Sequence, residues 1–396
     1  MAMLAVAALS ARALAEAAAR AGHGVLALDL FGDADTRRAA NRWWCIGGAD
    51  AQCIQPGRLC GALRQAASQH GAVGWIAGSG FEANPGLLTL GAAELPLIGN
   101  PAPVWARLQD PAQFFGCLDA HGLPHPALQT QAPADLAGWL VKDSAGCGGS
   151  AVQPADVAAL ARPATAALPH TACYQRRIAG RPVSATFIAN GRQAVLLGFN
   201  QQRVQALPGR PYAFAGVVGP VVLPAAAAGL MQRALSVLVA EFGLRGLGSL
   251  DALLDGDDIY LLELNPRPPA SLGLYPRCGA LSLIDAHLQA CLQGNLPASA
   301  VPAPAARVPG VAGLANVYAR RAQQIDAATA ARIAAWPGAH DLPLPGSRVA
   351  AGDPLCSLSA TGASAARVHA RLDTETERLL AALACPSTVS LQARPT

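Results

Sequence analysis

The amino-terminal part of the chain alternates buried strands with a helix, and this order constrains the fold more than any other feature. Residues 2–8 and 25–30 are apolar runs, and a helical stretch, residues 10–21, lies between them. Strand, helix and strand in this order form the unit of a parallel sheet. A further strand, residues 73–77, leads into the loop G-S-G-F-E. No G-x-G-x-x-G motif follows the first strand, so the pattern does not predict a dinucleotide site.

Length and composition limit the classes of protein that this chain can be. At 396 residues the chain is longer than a single hydrophobic core usually supports. Its content of 52% hydrophobic and 14% charged residues is typical of a globular protein. A net charge of +4 without a basic run argues against a dedicated nucleic-acid binder. We find no apolar run of membrane-spanning length and no basic region of a signal peptide, so we expect a cytoplasmic protein without a membrane partner. The ten cysteines lack metal-binding spacing and predict reduced thiols.

The rest of the chain predicts a second large domain and a small final unit. A Pro/Ala linker at residues 301–309 is the clearest boundary, and we predict a β-rich unit with a final helix, residues 363–383, beyond it. Asn190 and Gly191 form a predicted hairpin tip. The other predicted elements are a helix from Pro111, a strand at 173–178, a helix at 224–242, paired strands at 250–254 and 259–264, and a helix at 280–292.

Lys142 is the only lysine of the chain, and it stands on an apolar strand just before the glycine-rich loop A-G-C-G-G-S. A loop with Gly146, Gly148 and Gly149 can lie flat over phosphates and offer backbone N–H groups to them. A lysine just upstream can neutralise phosphate oxygens as a point charge. The alternative is a lysine whose stem packs on apolar surface before an ordinary turn.

A second polar constellation lies in L-L-E-L-N-P-R-P, residues 261–268. Glu263 and Asn265 are two apart on a strand and therefore share a face, and Asp251 on the preceding strand can face the same spot. Two carboxylates and an amide on apolar strands suit Mg²⁺. Arg267 can form bidentate hydrogen bonds with a carboxylate or with phosphoryl oxygens. The alternative is that Asp251 begins a turn and Glu263 pairs with Arg267.

Taken together, these motifs resemble the ATP-grasp superfamily over nearly the whole chain. The resemblance includes W-L-V-K…G-C-G-G, Y-Q-R-R-I-A-G-R-P-V-S and F-G-L-R-G-L-G-S-L-D…L-L-E-L-N-P-R-P. It implies an α/β fold, α+β in the lid, with a Rossmann-like pre-ATP-grasp domain and a small C-terminal β-rich unit. The implied boundaries are 1–107 for the first domain, 108–300 for the ATP-grasp domain (lid about 108–176, large subdomain about 177–300), 301–309 for the linker and 310–396 for the final unit.

The resemblance also implies roles for single residues. Lys142 would hold the α- and β-phosphates of ATP, and the three loop glycines would close over them. Asp251, Glu263 and Asn265 would bind one or two Mg²⁺ ions, which Mn²⁺ can replace, and Arg267 would steady an acyl-phosphate. The hinge next to the adenine and ribose would comprise Tyr174, Gln175, Arg176, Arg177, Ile178 and Ser184. Gln175-Arg176 and Val183-Ser184 stand where many relatives carry acidic residues, so this chain departs from the family pattern at the ribose contact.

The implied activity is that of a carboxylate–amine ligase, which forms an amide through an acyl-phosphate. Its partners would be small-molecule carboxylate and amine substrates, and the resemblance allows a homodimer. Within the superfamily the chain looks closest to proteins of methylotrophs linked to one-carbon cofactors of the methanopterin and methanofuran type. The alternatives are a biotin-carboxylase-like enzyme that uses bicarbonate, a kinase, and a nucleotide-binding module without catalysis. The loop residue Glu82 is a candidate contact for the amine.

Overall fold

A computed structural model describes residues 1–48, 53–160, 168–275, 277–297 and 310–384 of the chain. The predicted linker at 301–309 therefore lies outside the described residues.

The amino-terminal part is a four-stranded parallel sheet with helices between its strands. Its order is β3-β2-β1-β4, in which β1 pairs with both β2 and β4. This confirms the parallel sheet predicted from the strand–helix–strand pattern. The elements are β1 (Met3–Ala7), α1 (Arg12–Arg20), β2 (Gly24–Asp29), α2 (Ala34–Ala39), β3 (Arg42–Cys45), α3 (Pro56–His70), β4 (Gly74–Ala77), α4 (Gly86–Glu94) and α5 (Ala102–Gln109).

The next part carries Lys142 on a small antiparallel sheet of order β5-β8-β6-β7. Its elements are α6 (Pro111–Ala120), β5 (Leu128–Gln129), β6 (Trp139–Asp143), β7 (Val152–Pro154), α7 (Ala155–Leu160) and β8 (Ala172–Arg176). The strand predicted at 173–178 ends at Arg176, because the backbone N–H of Arg177 donates to the Gly138 carbonyl outside the strand ladder. The glycine loop is the connection between β6 and β7.

The third part is built on long antiparallel strands around the predicted hairpins. Its elements are β9 (Arg181–Asn190), β10 (Ala194–Leu207), β11 (Arg210–Val221), α8 (Ala225–Phe242), β12 (Arg245–Asp255), β13 (Asp258–Asn265), a 3₁₀ turn (Ala270–Leu274), β14 (Arg277–Cys278), β15 (Leu281–Ser282) and α9 (Leu283–Leu292). Asn190 ends β9 as the predicted hairpin tip requires. Helix α9 begins three residues later than predicted, since Leu281 and Ser282 pair with β14 and the Ser282 hydroxyl caps the helix.

The final part joins the sheet of the third part. Its elements are β16 (Val311–Tyr318), β17 (Gln323–Gln324), α10 (Ala327–Ala334), β18 (Ala339–His340), β19 (Arg348–Val349), β20 (Pro354–Gly362) and α11 (Ala365–Ala384). Strand β16 pairs with β11, so one eight-stranded sheet runs in the order β13-β12-β9-β10-β11-β16-β20-β18. The strands predicted for the C-terminal unit therefore extend the central sheet, with α11 packed on them.

Helix α8 is an exception to our expectation that no run could span a membrane. By length and composition alone, Ala225–Phe242 is long and apolar enough to do so. Its apolar side chains, including Met231, Leu235 and Leu238, are buried in the core formed with β9, β12 and β13. This packing is that of a core helix beneath a sheet.

His287 on α9 ties the central sheet to the amino-terminal domain. Its ring is 1% exposed, Nδ1 accepts from the Leu247 N–H at 2.9 Å, and Nε2 donates to the Ile98 carbonyl at 3.0 Å. Burial lowers the pKa of His287 to about 4. The ring is therefore neutral in the folded protein at neutral pH.

We expect His287 to make the protein sensitive to acid. Between pH 6.5 and pH 4 the unfolded chain binds a proton that the folded chain does not, so the free energy of unfolding falls as pH falls through this window. The largest loss that a shift of this size allows is about 3 kcal/mol. Urea unfolding between pH 4 and pH 7 gives the free energy of unfolding at each pH. This free energy should change less with pH for His287→Gln than for the unsubstituted protein. Equal pH slopes for the two proteins would contradict the expectation.

Candidate active site

The two predicted carboxylates face each other across the β12–β13 hairpin. Asp251 is the direct cross-strand partner of Glu263, and Ser249 is that of Asn265. The Asn265 amide nitrogen lies 3.2 Å from Asp251 Oδ2 and 3.4 Å from Glu263 Oε1. The structure thus brings together the three residues predicted as metal ligands.

The surroundings of this cluster shift the pKa values of the two carboxyl groups in opposite directions. Burial first, and then repulsion from Glu263, raises the pKa of Asp251 to about 7. Lys142 has the opposite effect on Glu263 and holds the pKa of that carboxyl below its usual value. The Glu263 side chain remains 44% exposed, so the cluster is open to solvent on one side.

Lys142 reaches across from the lid sheet to this cluster. Its Nζ lies 2.6 Å from Glu263 Oε2 and donates to the Leu262 carbonyl at 3.1 Å, while its side chain is 8% exposed. The alternative of a lysine that packs its stem beside a surface turn is wrong, because the ammonium group is enclosed and paired. Sequence reasoning missed both partners, since nothing in a sequence indicates which strand a lid lysine will meet.

The glycine loop has a packing reason for its composition. Gly148 and Gly149 adopt left-handed backbone angles, and a Cβ at Gly149 would clash with the Tyr212 carbonyl. The Gly148 carbonyl accepts from the Phe214 N–H at 2.9 Å, and Gly146 N–H donates to Asp143. The loop is therefore seated on β11, beside the cluster that Lys142 reaches.

Strand β8 presents one unusual group, the side chain of Gln175. Gln175 is 4% exposed, its cross-strand partner is Leu140, and its Nε2 has no hydrogen-bond partner within the described part of the chain. A buried amide donor without a partner is costly unless a ligand satisfies it. The predicted hinge residues Arg176 and Arg177 are exposed, and Tyr174 and Ile178 are half-buried.

Ser184 lies on the same sheet face as the carboxylates and is the direct neighbour of Asp251 across β9 and β12. It is 3% exposed, and its hydroxyl accepts from Asn200 Nδ2 at 3.3 Å. The structure thus places Ser184 beside Asp251 in the central sheet. Its predicted ribose contact stays a prediction.

Arg267 follows β13 and borders the cluster. Its Nη2 donates to Asn265 Oδ1 at 3.3 Å, and its Nε lies 2.6 Å from Glu82 Oε1. The Arg267 guanidinium thus pairs with Glu82, and the alternative pairing of Arg267 with Glu263 is wrong. The contact of Glu82 with the amine stays a prediction. The loop sequence G-S-G-F-E was the only signal for Glu82.

The cluster fits a divalent cation by the chemistry of its donors. Asp251 Oδ1 is buried and has no hydrogen-bond partner among the described residues. The neighbouring carboxylate of Glu263, directly across the hairpin, adds negative charge that a cation would neutralise. Two carboxylates and an amide are the oxygen ligands that Mg²⁺ prefers. The amide nitrogen of Asn265 faces the carboxylates, so its oxygen would turn toward a bound cation by rotation of the amide.

Comparison with known protein families agrees with this geometry. Residues 109–271 match the family model described as an ATP-grasp domain. The chain has the ATP-grasp fold. The matched range begins at the end of α5, contains Lys142 and the whole carboxylate hairpin, and ends in the 3₁₀ turn after Arg267.

Solved structures share this ATP-grasp fold over almost the whole chain. Biotin carboxylase from Campylobacter jejuni, solved as a β,γ-ATP complex, aligns with a TM-score of 0.68 at 14% identity and covers 97% of this chain and 95% of its own. The biotin carboxylase domain of 2-oxoglutarate carboxylase from Hydrogenobacter thermophilus was solved with MgADP and bicarbonate. It aligns with a TM-score of 0.70 at 13% identity, over 97% of this chain and 94% of its own. N5-carboxyaminoimidazole synthase from Aspergillus clavatus was solved with ADP and 5-aminoimidazole ribonucleotide. It aligns with a TM-score of 0.65 at 15% identity, over 95% of this chain and 99% of its own.

One curated relative matches a shorter stretch. The carbamoyl phosphate synthase large chain from Thermoplasma volcanium is 29% identical over 80 residues. That stretch is 20% of this chain and 8% of the relative, so this chain matches only a small part of the curated protein.

Proposed function

We propose that this protein is an ATP- and Mg²⁺-dependent ligase that activates a carboxylate as an acyl-phosphate and joins it to an amine. The observation that carries the proposal is the meeting of Lys142 with the Asp251–Glu263–Asn265 cluster. A cation from the lid and a set of oxygen ligands from the central sheet come within 2.6 Å of each other in one cleft. A magnesium–triphosphate needs both kinds of group.

The residues on the lid side support ATP as the nucleotide. The unpartnered Gln175 amide can donate to a ring nitrogen of adenine, and the seated glycine loop borders the region that phosphates would occupy. The solved relatives that hold MgADP or ADP support the same nucleotide. Asp251, Glu263 and Asn265 would hold Mg²⁺ or Mn²⁺, which would supply positive charge to the triphosphate.

In this mechanism the protein positions groups and stabilises charge. A substrate carboxylate oxygen attacks the γ-phosphorus, the bond from that phosphorus to the β–γ bridging oxygen breaks, and ADP leaves. The amine then attacks the acyl carbon, the carbon–phosphate oxygen bond breaks, and the amine loses a proton as the amide forms. Lys142 leaves Glu263 and binds phosphate oxygens, and Arg267 stabilises the oxygens of the acyl-phosphate. The lid and its glycine loop keep water from the acyl-phosphate.

A second candidate is a carboxylating enzyme that uses bicarbonate as the carboxylate. The fold similarity to biotin carboxylase domains, one of them solved with bicarbonate, favours this candidate. The only lysine is buried in the cleft and cannot carry biotin on an exposed site, so a separate acceptor would be required. A nucleotide-binding module without catalysis is the third candidate.

Formation of ADP in the presence of different acids and amines tests the proposal. The ligase should form ADP quickly only when both a carboxylate and an amine are present, for example in a screen of amines with glutamate as the acid. The carboxylating enzyme should form ADP quickly only when bicarbonate and an acceptor such as free biotin are present, and the binding module should form no ADP with any pair. Absence of MgATP binding in calorimetry would rule out all three.

We further propose a cytoplasmic homodimer that acts in the synthesis of one-carbon cofactors of the methanopterin or methanofuran type. This finer assignment depends on the sequence resemblance alone. It is tested by the size of the protein in solution and by activity with acids and amines from that class.

A further inference from the structure

Three parts of the fold meet at the guanidinium group of Arg267. Glu82 of the amino-terminal domain binds Nε at 2.6 Å, Asn265 at the end of β13 binds Nη2 at 3.3 Å, and Cys147 of the glycine loop places its sulfur 3.8 Å from Nη2. The Arg267 and Glu82 side chains are only 13% and 8% exposed. An arginine so enclosed has its direction fixed by its partners.

Glu82 is itself held rigidly. Its Oε2 accepts from the Gly80 N–H at 2.6 Å, and its backbone carbonyl accepts from the Gln109 side chain at 2.7 Å. Gly80 has a φ of +106°, a value that side-chain-bearing residues rarely adopt, so the loop at this point requires glycine. The G-S-G-F-E loop therefore fixes one carboxylate, and that carboxylate faces Arg267.

Only part of the guanidinium is engaged by Glu82. The carboxylate takes Nε, Nη2 lies beside Asn265 at the carboxylate cluster, and Nη1 has no hydrogen-bond partner in the described ranges. The edge of the fork formed by the two Nη atoms therefore remains able to receive two oxygens of one anion. A partner on Nε stops the guanidinium from turning this edge away.

We propose that Glu82 is a positioning residue that aims the Nη edge of Arg267 at the transferred phosphoryl group. The inference rests on the proposed function, since it assigns Arg267 a phosphoryl ligand. It gives the amino-terminal domain a part in the chemistry although that domain supplies no other group to the cluster that we describe. It also gives the buried Glu82 carboxylate a cationic partner within the protein, the Arg267 guanidinium.

The test measures binding of inorganic phosphate to protein saturated with MgADP, by calorimetry. Glu82→Gln keeps the size of the side chain and removes its charge. We expect it to weaken phosphate binding about tenfold, about 1.4 kcal/mol, and to leave the Kd of MgADP within about twofold. Arg267→Lys should weaken phosphate similarly, and adding Glu82→Gln to it should have little further effect. Glu94→Gln, which breaks an exposed ion pair with Arg64 in the same domain, is the matched control.

The outcomes separate this inference from the proposed function. If the unsubstituted protein does not bind MgADP, the proposed function fails. If it binds MgADP but not phosphate, or if Glu82→Gln binds phosphate normally, the positioning role is refuted while nucleotide binding stands. Should Glu82→Gln fail to bind MgADP because it misfolds, Glu82→Asp decides, since it retains the charge but shortens the reach. Normal phosphate affinity in Glu82→Asp would then overturn the inference.

Discussion

Replacement of Glu263 by glutamine is expected to lower the rate of ADP formation at least about 100-fold, or about 2.7 kcal/mol of barrier. Glu263 is both a predicted metal ligand and the counter-ion of Lys142, so the change removes one charge from each arrangement. The loss should be largest at low Mg²⁺ or Mn²⁺ and should diminish as the metal concentration rises. Initial rates at several metal concentrations provide the measurement.

Asp258→Asn is the matched control for this prediction. It removes an exposed carboxylate from the turn end of the same hairpin, and we expect unchanged rates. A Glu263→Gln protein with the metal dependence of the unsubstituted protein would show that the cluster does not bind the metal.

Replacement of Lys142 by methionine is expected to reduce kcat/KM for ATP by about 100- to 1,000-fold. The methionine stem fills the same apolar space, but no ammonium group remains to bind phosphate oxygens. Glu263 also loses its partner, so its pKa should rise toward the ordinary value. Calorimetry with MgATP and steady-state kinetics together separate the loss of binding from the loss of rate.

The chain offers an independent measurement for the same residue. Because Lys142 is the only lysine, an amine-reactive reagent can modify only Lys142 and the amino terminus. MgATP should protect Lys142, read by mass spectrometry of its peptide. Arg192→Met, which removes a cation from the exposed β9–β10 turn, should keep full activity. Equal labelling of Lys142 with and without MgATP would contradict a phosphate role.

The hairpin chemistry was predictable because its contacts are local. A spacing of two along β13 places Glu263 and Asn265 on one face, and the short D-G-D-D turn brings Asp251 opposite Glu263. The parallel amino-terminal sheet was predictable for the same reason, since each strand and the helix after it are adjacent in sequence.

Other features of the site depend on contacts between distant parts of the chain. The pairing of Lys142 with Glu263 requires the lid sheet to dock on the central sheet, and the pairing of Arg267 with Glu82 joins residues 185 positions apart. The burial of Ser184 follows from its position between β10 and β12, which only the complete sheet reveals. Periodicity and spacing contain no information on such docking.

The shared sheet has a consequence for the independence of the matched domain. If the chain stopped before residue 310, the backbone groups of Gly216 to Gly219 would lose the partner strand β16, and Val218 would lose the side chains that cover it. An open strand edge next to an uncovered apolar face invites pairing with other molecules. The final 75 described residues therefore cover the edge of β11 and the apolar face beside it. We expect a chain cut at residue 271 to associate through that uncovered edge.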